Sequence, residues 1–256
     1  MTNVNILFRN RLDIPLDCKI SFENLHEVLE RTAKMIPFEN MRIMAGKTTE
    51  ITEEYLVDKL FVQKEGGLCY ELNAILHLFL KENGFDVVMV RGIVYDQMNQ
   101  QWNKVGQTHV TNLIYHNGQP YLVDTGFGGN LPLKPVPLNG EMVESQNGEF
   151  RVEQLDSEYG DYLFYMKLKF KDHDWKIGYA FDSKNTVSFA TLNEVQKKIV
   201  EHPESPFNKK PLLTRLTDKG NIILSENSFV EWADGDMKKE EIDEEQFQEL
   251  KKVYFG

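Results

Sequence analysis

The chain of 256 residues has only two cysteines, Cys18 and Cys69, and they lack the paired spacing of a zinc or iron site. It contains no run of eighteen consecutive apolar residues, which a membrane-spanning helix requires. Cations are scarce, because 29 lysines and arginines stand against 40 aspartates and glutamates, giving a net charge of -11. A nucleic-acid surface needs clustered cations. The composition therefore argues against a metal centre, a membrane span and a nucleic-acid partner.

The first five residues, 1–5, lack a basic patch that leads into an apolar stretch, so the sequence predicts no export signal. A working thiol would also favour a reducing compartment. We therefore expect a soluble, cytoplasmic protein with no membrane partner. The sequence leaves the oligomeric state open.

Hydrophobic periodicity divides the chain into three parts. The first part reads as helical, with Ser21 and Thr52 as helix caps, and the second alternates with the period of two that is typical of strands. The third part mixes helices with a hairpin, and the charged run 238–241 is predicted to begin its last helix. The sequence thus predicts an α+β fold with an N-terminal helical domain, a central antiparallel β-barrel or sheet, and a C-terminal α/β lid. The predicted boundaries are 1–84, 85–190 and 191–256.

Cys69 follows Gly66 and Gly67 and opens an apolar pattern with helical spacing, so we expect it on the first turn of a helix. The partial positive charge at a helix N-terminus favours thiolate over thiol, and glycines let backbone N–H groups approach a reacting carbonyl. An isolated cysteine at such a place is more often a small buried apolar residue. A nucleophile needs a base and a group that orients the base.

A hairpin supplies both partners. The segment 109–124 reads as two strands around Asn117-Gly118, and this dipeptide is the strongest short hairpin signal. With these two residues as the loop, Thr111 faces Asp124, and His109 is a diagonal neighbour of Asp124 on the same face, about 7 to 8 Å away at the backbone. A three-residue loop would move Asp124 to the other face. The pattern predicts His109 as a base that Asp124 orients, and the alternative is a structural strand histidine beside a turn aspartate.

Several motifs along the whole chain resemble the arylamine N-acetyltransferase family, whose members transfer acetyl from acetyl-coenzyme A to aromatic amines and hydrazines. The motifs are Phe8-Arg9, Pro37-Phe38-Glu39-Asn40, Gly66-Gly67-Leu68-Cys69-Tyr70-Glu71-Leu72-Asn73, His109 with Asn112-Leu113, Val123-Asp124 with Gly126-Phe127-Gly128, and Ser205-Pro206-Phe207. The resemblance implies a papain-like catalytic core and a ping-pong reaction through an acetyl-cysteine.

The resemblance also implies roles for particular residues. Its catalytic residues would be Cys69 as nucleophile, His109 as base and Asp124 as orienter. Acetyl-coenzyme A would contact Gly126, Gly128 and Phe207, and the aromatic acceptor would lie against Phe38 and Phe127. No metal is implied.

One position departs from the family pattern, because Glu65 stands where the family usually has arginine before the Gly-Gly pair. Support for the Cys69 segment would then come from Lys64 or be rearranged. Two other functions stay open on the sequence. A papain-like or transglutaminase-like thiol amidase uses the same three groups, and a non-catalytic binding protein could keep the fold.

Overall fold

The computed structural model describes residues 3–256. Met1 and Thr2, which begin the segment read for an export signal, lie outside the described residues. The helices are Val4–Leu12 (α1), Leu25–Met35 (α2), Met41–Met44 (α3), Glu53–Val57 (α4), Cys69–Glu82 (α5), Phe189–Glu201 (α6) and Glu244–Phe255 (α7). The strands are Phe38–Glu39 (β1), Asp86–Asp96 (β2), Gln101–Trp102 (β3), His109–His116 (β4), Gln119–Val123 (β5), Val136–Pro137 (β6), Val143–Ser145 (β7), Gly148–Ser157 (β8), Gly160–Leu168 (β9), Lys176–Thr186 (β10), Leu212–Leu216 (β11), Gly220–Ser225 (β12), Ser228–Ala233 (β13) and Asp236–Glu241 (β14).

The helix caps predicted in the first part of the chain are partly right. Thr52 caps α4, since its hydroxyl oxygen accepts from the Tyr55 N–H at 3.1 Å. The Ser21 cap is wrong: α2 begins at Leu25, and the Ser21 N–H instead donates to the side chain of Asn24 at 2.8 Å. Residues 22–24 form a turn before the helix.

Helix α5 forms the centre of the helical part. Its apolar side chains join α1, α2 and α6 in one core, and this core continues onto one face of β2 and β4 through Val87, Val110 and Ile114. Cys69 is the first residue of α5. Gly84, just beyond the last turn, has a left-handed backbone (φ +82°) that ends the helix. The helix that carries the thiol is therefore packed directly on the sheet.

The second part of the chain forms an antiparallel sheet of nine strands in the order β6-β5-β4-β2-β10-β9-β8-β7, with β3 paired to β2. The two edges of the sheet approach each other where the edge strand β6 packs against β8. Apolar side chains from strands around the sheet, among them Leu113, Phe150 and Phe164, meet in a separate interior core. The sheet is thus nearly a closed barrel.

The third part forms a five-stranded sheet in the order β1-β11-β12-β13-β14, which links the N-terminal strand β1 to the C-terminal strands. The predicted helix start at Lys238–Glu241 is wrong, because these residues lie in the exposed edge strand β14 and α7 begins after its cap residue, Asp243. A charged edge strand discourages pairing with another chain. Helix α7 covers this sheet through Phe247.

The predicted α+β fold class is confirmed, and the order of helical part, antiparallel barrel and mixed C-terminal part follows the prediction. The residue boundaries between domains stay predictions. Within residues 3–256, no helix has both the length and the apolar character needed to cross a membrane.

Candidate active site

The structure brings Cys69, His109 and Asp124 together at the junction between α5 and the barrel. Cys69 is the first residue of α5, His109 is the first residue of β4, and Asp124 directly follows the last residue of β5. The His109 Nε2 atom lies 2.7 Å from Asp124 Oδ2, and both side chains are almost completely buried. The helical part therefore supplies the thiol, and the barrel supplies the imidazole and the carboxylate.

The predicted hairpin register is confirmed. Asn112 lies opposite Val123 and His116 lies opposite Gln119, as a two-residue loop requires. The loop residues Asn117 and Gly118 both have positive φ, at 50° and 77°, which is the geometry of a type I′ turn. The turn thus sets the alternation of faces that puts His109 and Asp124 side by side.

Four donors surround the Asp124 carboxylate. Oδ1 accepts from the side-chain amide of Asn73 at 2.8 Å and from the Gly126 N–H at 2.7 Å, and Oδ2 accepts from the Tyr179 hydroxyl at 2.8 Å as well as meeting His109. A carboxylate that accepts several hydrogen bonds keeps its charge even when buried. Asp124 is therefore held in one orientation by contacts on both oxygens.

Asn73 and Tyr179 were not among the predicted site residues. Asn73 is four residues after Cys69, and that spacing places both on the same face of α5, a signal that sequence reasoning could have used. Tyr179 lies in the distant strand β10. No local pattern relates β10 to Asp124.

The charges of the buried pair stabilise each other. Burial alone lowers the pKa of His109, but the Asp124 carboxylate and then the Cys69 side chain outweigh it and raise the pKa to about 10. Burial alone would raise the pKa of Asp124, yet His109, Asn73 and the Gly126 N–H lower it. At neutral pH the arrangement therefore favours an imidazolium beside an aspartate.

Cys69 is 5% exposed, and its sulfur lies 3.5 Å from the Thr108 carbonyl oxygen. Because His109 uses Nε2 toward Asp124, the other ring nitrogen, Nδ1, is left for the thiol. Cys69 is the first helical residue, so its N–H has no acceptor within its own helix. The Cys69 N–H is thus suited to stabilise an oxyanion that forms next to the sulfur.

The aromatic residues predicted to contact substrates fall into two groups. The rings of Phe38 and Phe207 lie 5.6 Å apart between centroids. Phe127 packs on His109 and Tyr179, each at 5.1 Å. Phe127 therefore lies beside the imidazole, while Phe38 and Phe207 form a second aromatic pair. Their roles toward substrates stay predictions.

The two predicted glycines differ in their surroundings. A Cβ on Gly126 would come 2.5 Å from the Cys69 Cα, so only glycine lets this loop pack so closely on the start of α5. Gly128 has φ +60°, and a Cβ there would lie 3.9 Å from Phe38. Gly126 is thus needed for packing against the nucleophile, and contacts of either glycine with acetyl-coenzyme A stay predictions.

Glu65, the departure from the family pattern, does not leave its segment without a charge partner. Its carboxylate accepts from Arg42 Nε at 2.6 Å, and the Arg42 guanidinium also lies over the Tyr55 ring at 5.1 Å. Lys64 has left-handed backbone geometry (φ +55°). Arg42, on the neighbouring helix α3, is thus the charge partner of the carboxylate before the Gly-Gly pair.

Among residues 3–256, no three histidine, cysteine, aspartate or glutamate side chains are grouped so that they could hold a metal ion.

A family model described as N-acetyltransferase matches residues 21–256. The chain therefore belongs to the N-acetyltransferase family that includes the arylamine N-acetyltransferases. It is an enzyme of that class. It is 38% identical over 237 residues to the uncharacterized acetyltransferase YvcN of Bacillus subtilis, covering 92% of this chain and 91% of that protein. It is 30% identical to the probable arylamine N-acetyltransferase 2 of Dictyostelium discoideum, covering 82% of this chain and 76% of that protein.

Solved structures of arylamine N-acetyltransferases are also similar to this chain. Arylamine N-acetyltransferase C from Bacillus anthracis is 40% identical with a TM-score of 0.95, covering 100% of this chain and 99% of that chain. The NAT3 arylamine N-acetyltransferase from Bacillus cereus is 39% identical with a TM-score of 0.94, covers 100% and 99%, and is described as having a unique Cys-His-Glu catalytic triad. The predicted fold with its papain-like catalytic core is thereby confirmed. Unlike the Bacillus cereus protein, this chain has an aspartate, Asp124, beside its histidine.

Proposed function

We propose that the chain transfers acetyl from acetyl-coenzyme A to arylamines, arylhydrazines or N-arylhydroxylamines by a ping-pong mechanism through acetyl-Cys69. The observation that carries the proposal is the buried His109–Asp124 contact of 2.7 Å beside the thiol at the start of α5. Relatives at 30% to 40% identity are named as arylamine N-acetyltransferases. An arylamine N-acetyltransferase of this fold from Mycobacterium marinum has been solved in complex with CoA.

In the first half-reaction, His109 already holds the proton of the Cys69 thiol as an imidazolium, and the Cys69 thiolate attacks the acetyl carbonyl of the thioester. The Cys69 N–H stabilises the oxyanion of the tetrahedral intermediate. The bond to the coenzyme A sulfur then breaks, and the leaving thiolate takes the proton from His109. The acetyl group is left on Cys69, and His109 is neutral.

In the second half-reaction, the amine attacks acetyl-Cys69, and His109 accepts the proton that the amine loses. The carbon–sulfur bond breaks and the Cys69 thiolate leaves beside an imidazolium. Asp124 holds the ring in one orientation and stabilises its positive charge in both steps. We expect the aromatic side chains of Phe38 and Phe127 to lie against a flat, apolar acceptor, and Gly126, Gly128 and Phe207 to contact acetyl-coenzyme A.

Steady-state kinetics separate this function from a thiol amidase. Initial rates measured at several fixed amine concentrations against acetyl-coenzyme A are expected to give parallel double-reciprocal lines, because coenzyme A leaves before the amine reacts. The same preparation is expected not to hydrolyse peptides or glutamine-type amides. Intersecting lines would contradict the acetyl-enzyme order, and amide hydrolysis without acetyl transfer would establish the amidase instead.

A further inference from the structure

A second group of buried charges lies behind the nucleophile and takes no part in the mechanism above. Lys59, in a π-helical turn at Asp58–Val62, is 2% exposed. Its Nζ donates to Glu71 Oε1 at 2.7 Å and lies 3.4 Å from Glu39 Oε1. Both carboxylates are also buried, at 3% and 4% side-chain exposure. One ammonium is thus shared by two carboxylates that come from different segments.

The first carboxylate is tied to the nucleophile. Glu71 Oε2 accepts from the Leu68 N–H at 2.9 Å, so the side chain closes a capping bond just before Cys69. A Cβ on Gly67 would come 2.9 Å from the same oxygen, so the glycine makes room for this contact. The position of Glu71 therefore fixes how the chain enters α5.

The second carboxylate is tied to the predicted acceptor wall, the side of the acceptor site that Phe38 is expected to form. Glu39 follows Phe38 in β1, and its carboxylate also accepts from the Met41 N–H. The Glu39 N–H donates to the Gly67 carbonyl at 3.0 Å, while the Gly67 N–H donates to the Pro37 carbonyl at 3.1 Å. Strand β1 is therefore held directly on the segment that leads to Cys69.

The ammonium keeps its charge at this buried position. Burial on its own lowers the pKa of Lys59, but Glu71 and then Glu39 raise it above the ordinary value. The Tyr55 hydroxyl donates to Glu71 Oε1 at 2.8 Å and completes the contacts of that oxygen. Without the ammonium, two neighbouring buried carboxylates would have no cation between them, and one or both would have to take up a proton or move.

We propose that Lys59 is a positioning residue for acetyl transfer, because it couples Glu71, which caps the Cys69 helix, to Glu39, whose strand carries Phe38. One buried cation then sets both the placement of the nucleophile and the placement of the acceptor wall relative to it. The proposal rests on the proposed acetyl-transfer function.

The test measures the two half-reactions separately by rapid mixing. Acetylation of Cys69 is followed by release of coenzyme A without amine, and the second half-reaction by mixing acetyl-enzyme with increasing amine. For Lys59→Met, we expect acetylation to slow by about 10-fold to 100-fold, since small displacements of reacting groups have effects of this size. We also expect the amine concentration that gives half-maximal deacetylation to rise.

Two further variants divide these effects. Glu71→Gln is expected to slow acetylation by about 10-fold and to change the half-maximal amine concentration by less than about 2-fold, because Lys59 still reaches Glu39 and the hydrogen bonds between β1 and Gly67 remain. Glu39→Gln is expected to do the reverse, raising the half-maximal amine concentration several-fold with acetylation nearly unchanged. A loss of stability alone would not produce opposite effects in the two half-reactions.

The control is Lys176→Met, which removes a half-exposed lysine that pairs at 2.6 Å with the buried carboxylate of Asp172, between β9 and β10. Both half-reactions are expected to stay within about 2-fold of the wild type. If Glu71→Gln and Glu39→Gln fold and leave both half-reactions unchanged, or change them in parallel, the proposal is wrong whatever Lys59→Met does. An inactive wild-type enzyme would instead contradict the proposed function itself.

Discussion

Cys69→Ala is expected to lower kcat for acetyl transfer by about five to six orders of magnitude, because loss of a triad nucleophile in other enzymes has an effect of this size. The side chain is small and 5% exposed, so alanine removes the sulfur with little change in packing. The measurement is amine acetylation at saturating acetyl-coenzyme A, with thermal unfolding recorded for the same sample.

The matched control is Cys18→Ala. Cys18 is the other free cysteine and is partly exposed, and its sulfur lies 4.0 Å from the side-chain nitrogen of Asn24. This variant is expected to retain wild-type turnover and to leave the reaction of Cys69 with iodoacetamide unchanged. Turnover by a folded Cys69→Ala enzyme at more than about a hundredth of the wild-type rate would contradict the role of the thiol.

Asp124→Asn is expected to lower kcat by about 10³-fold to 10⁴-fold, by analogy with other triads that lose their aspartate. Both oxygens of Asp124 accept hydrogen bonds, from Asn73 and Gly126 on one side and from Tyr179 and His109 on the other. An asparagine must turn its NH₂ group toward one of these donor pairs. Either choice opposes two donors, so the imidazole loses its orientation or changes tautomer.

The same substitution changes the pH dependence of stability. The pKa of His109 is raised from 6.5 to about 10 in the folded protein, so its contribution to the free energy of unfolding is full below about pH 6.5. That contribution is lost as the pH rises through 10. Without the carboxylate, the lowering of the pKa of His109 by burial is opposed only by the Cys69 side chain. Between neutral pH and about pH 10, the free energy of unfolding measured with urea is therefore expected to fall less in Asp124→Asn than in the wild type.

Asp161→Asn is the control for both effects. Asp161 lies in β9 and accepts from the N–H and the hydroxyl of Ser183, at 2.7 Å each, away from His109. Its substitution is expected to leave kcat within about 3-fold and to keep the wild-type difference between the two pH values. An Asp124→Asn enzyme that matches this control in rate would show that the carboxylate does not orient the base.

The parts of the site that local sequence predicts are those set by short-range geometry. Asn117-Gly118 allows the positive φ values of a two-residue turn, and this fixes the register that pairs His109 with Asp124. Gly66-Gly67 followed by a helical apolar pattern places Cys69 at the start of α5. The contact between the start of α5 and the hairpin of β4 and β5 joins distant parts of the chain, and only the resemblance to the family predicted it.

The parts that the sequence did not reveal depend on contacts between distant segments. Tyr179 reaches Asp124 from a strand more than fifty residues later, and Lys59 meets Glu39 and Glu71 only after three segments have packed. The run 238–241 reads as a helix start, because it directly precedes the helical apolar pattern of the last helix, but it lies in the edge strand of a sheet. Tertiary pairing overrode the local signal there.

The most direct test of the account is the intact mass of the wild-type enzyme after brief mixing with acetyl-coenzyme A in the absence of amine, followed by peptide mapping. The account predicts a gain of one acetyl group, located on Cys69, that disappears when an arylamine is added and the acetylated amine forms. An enzyme that acetylates the amine while its own mass never changes, or that carries the acetyl group on another residue, would contradict it.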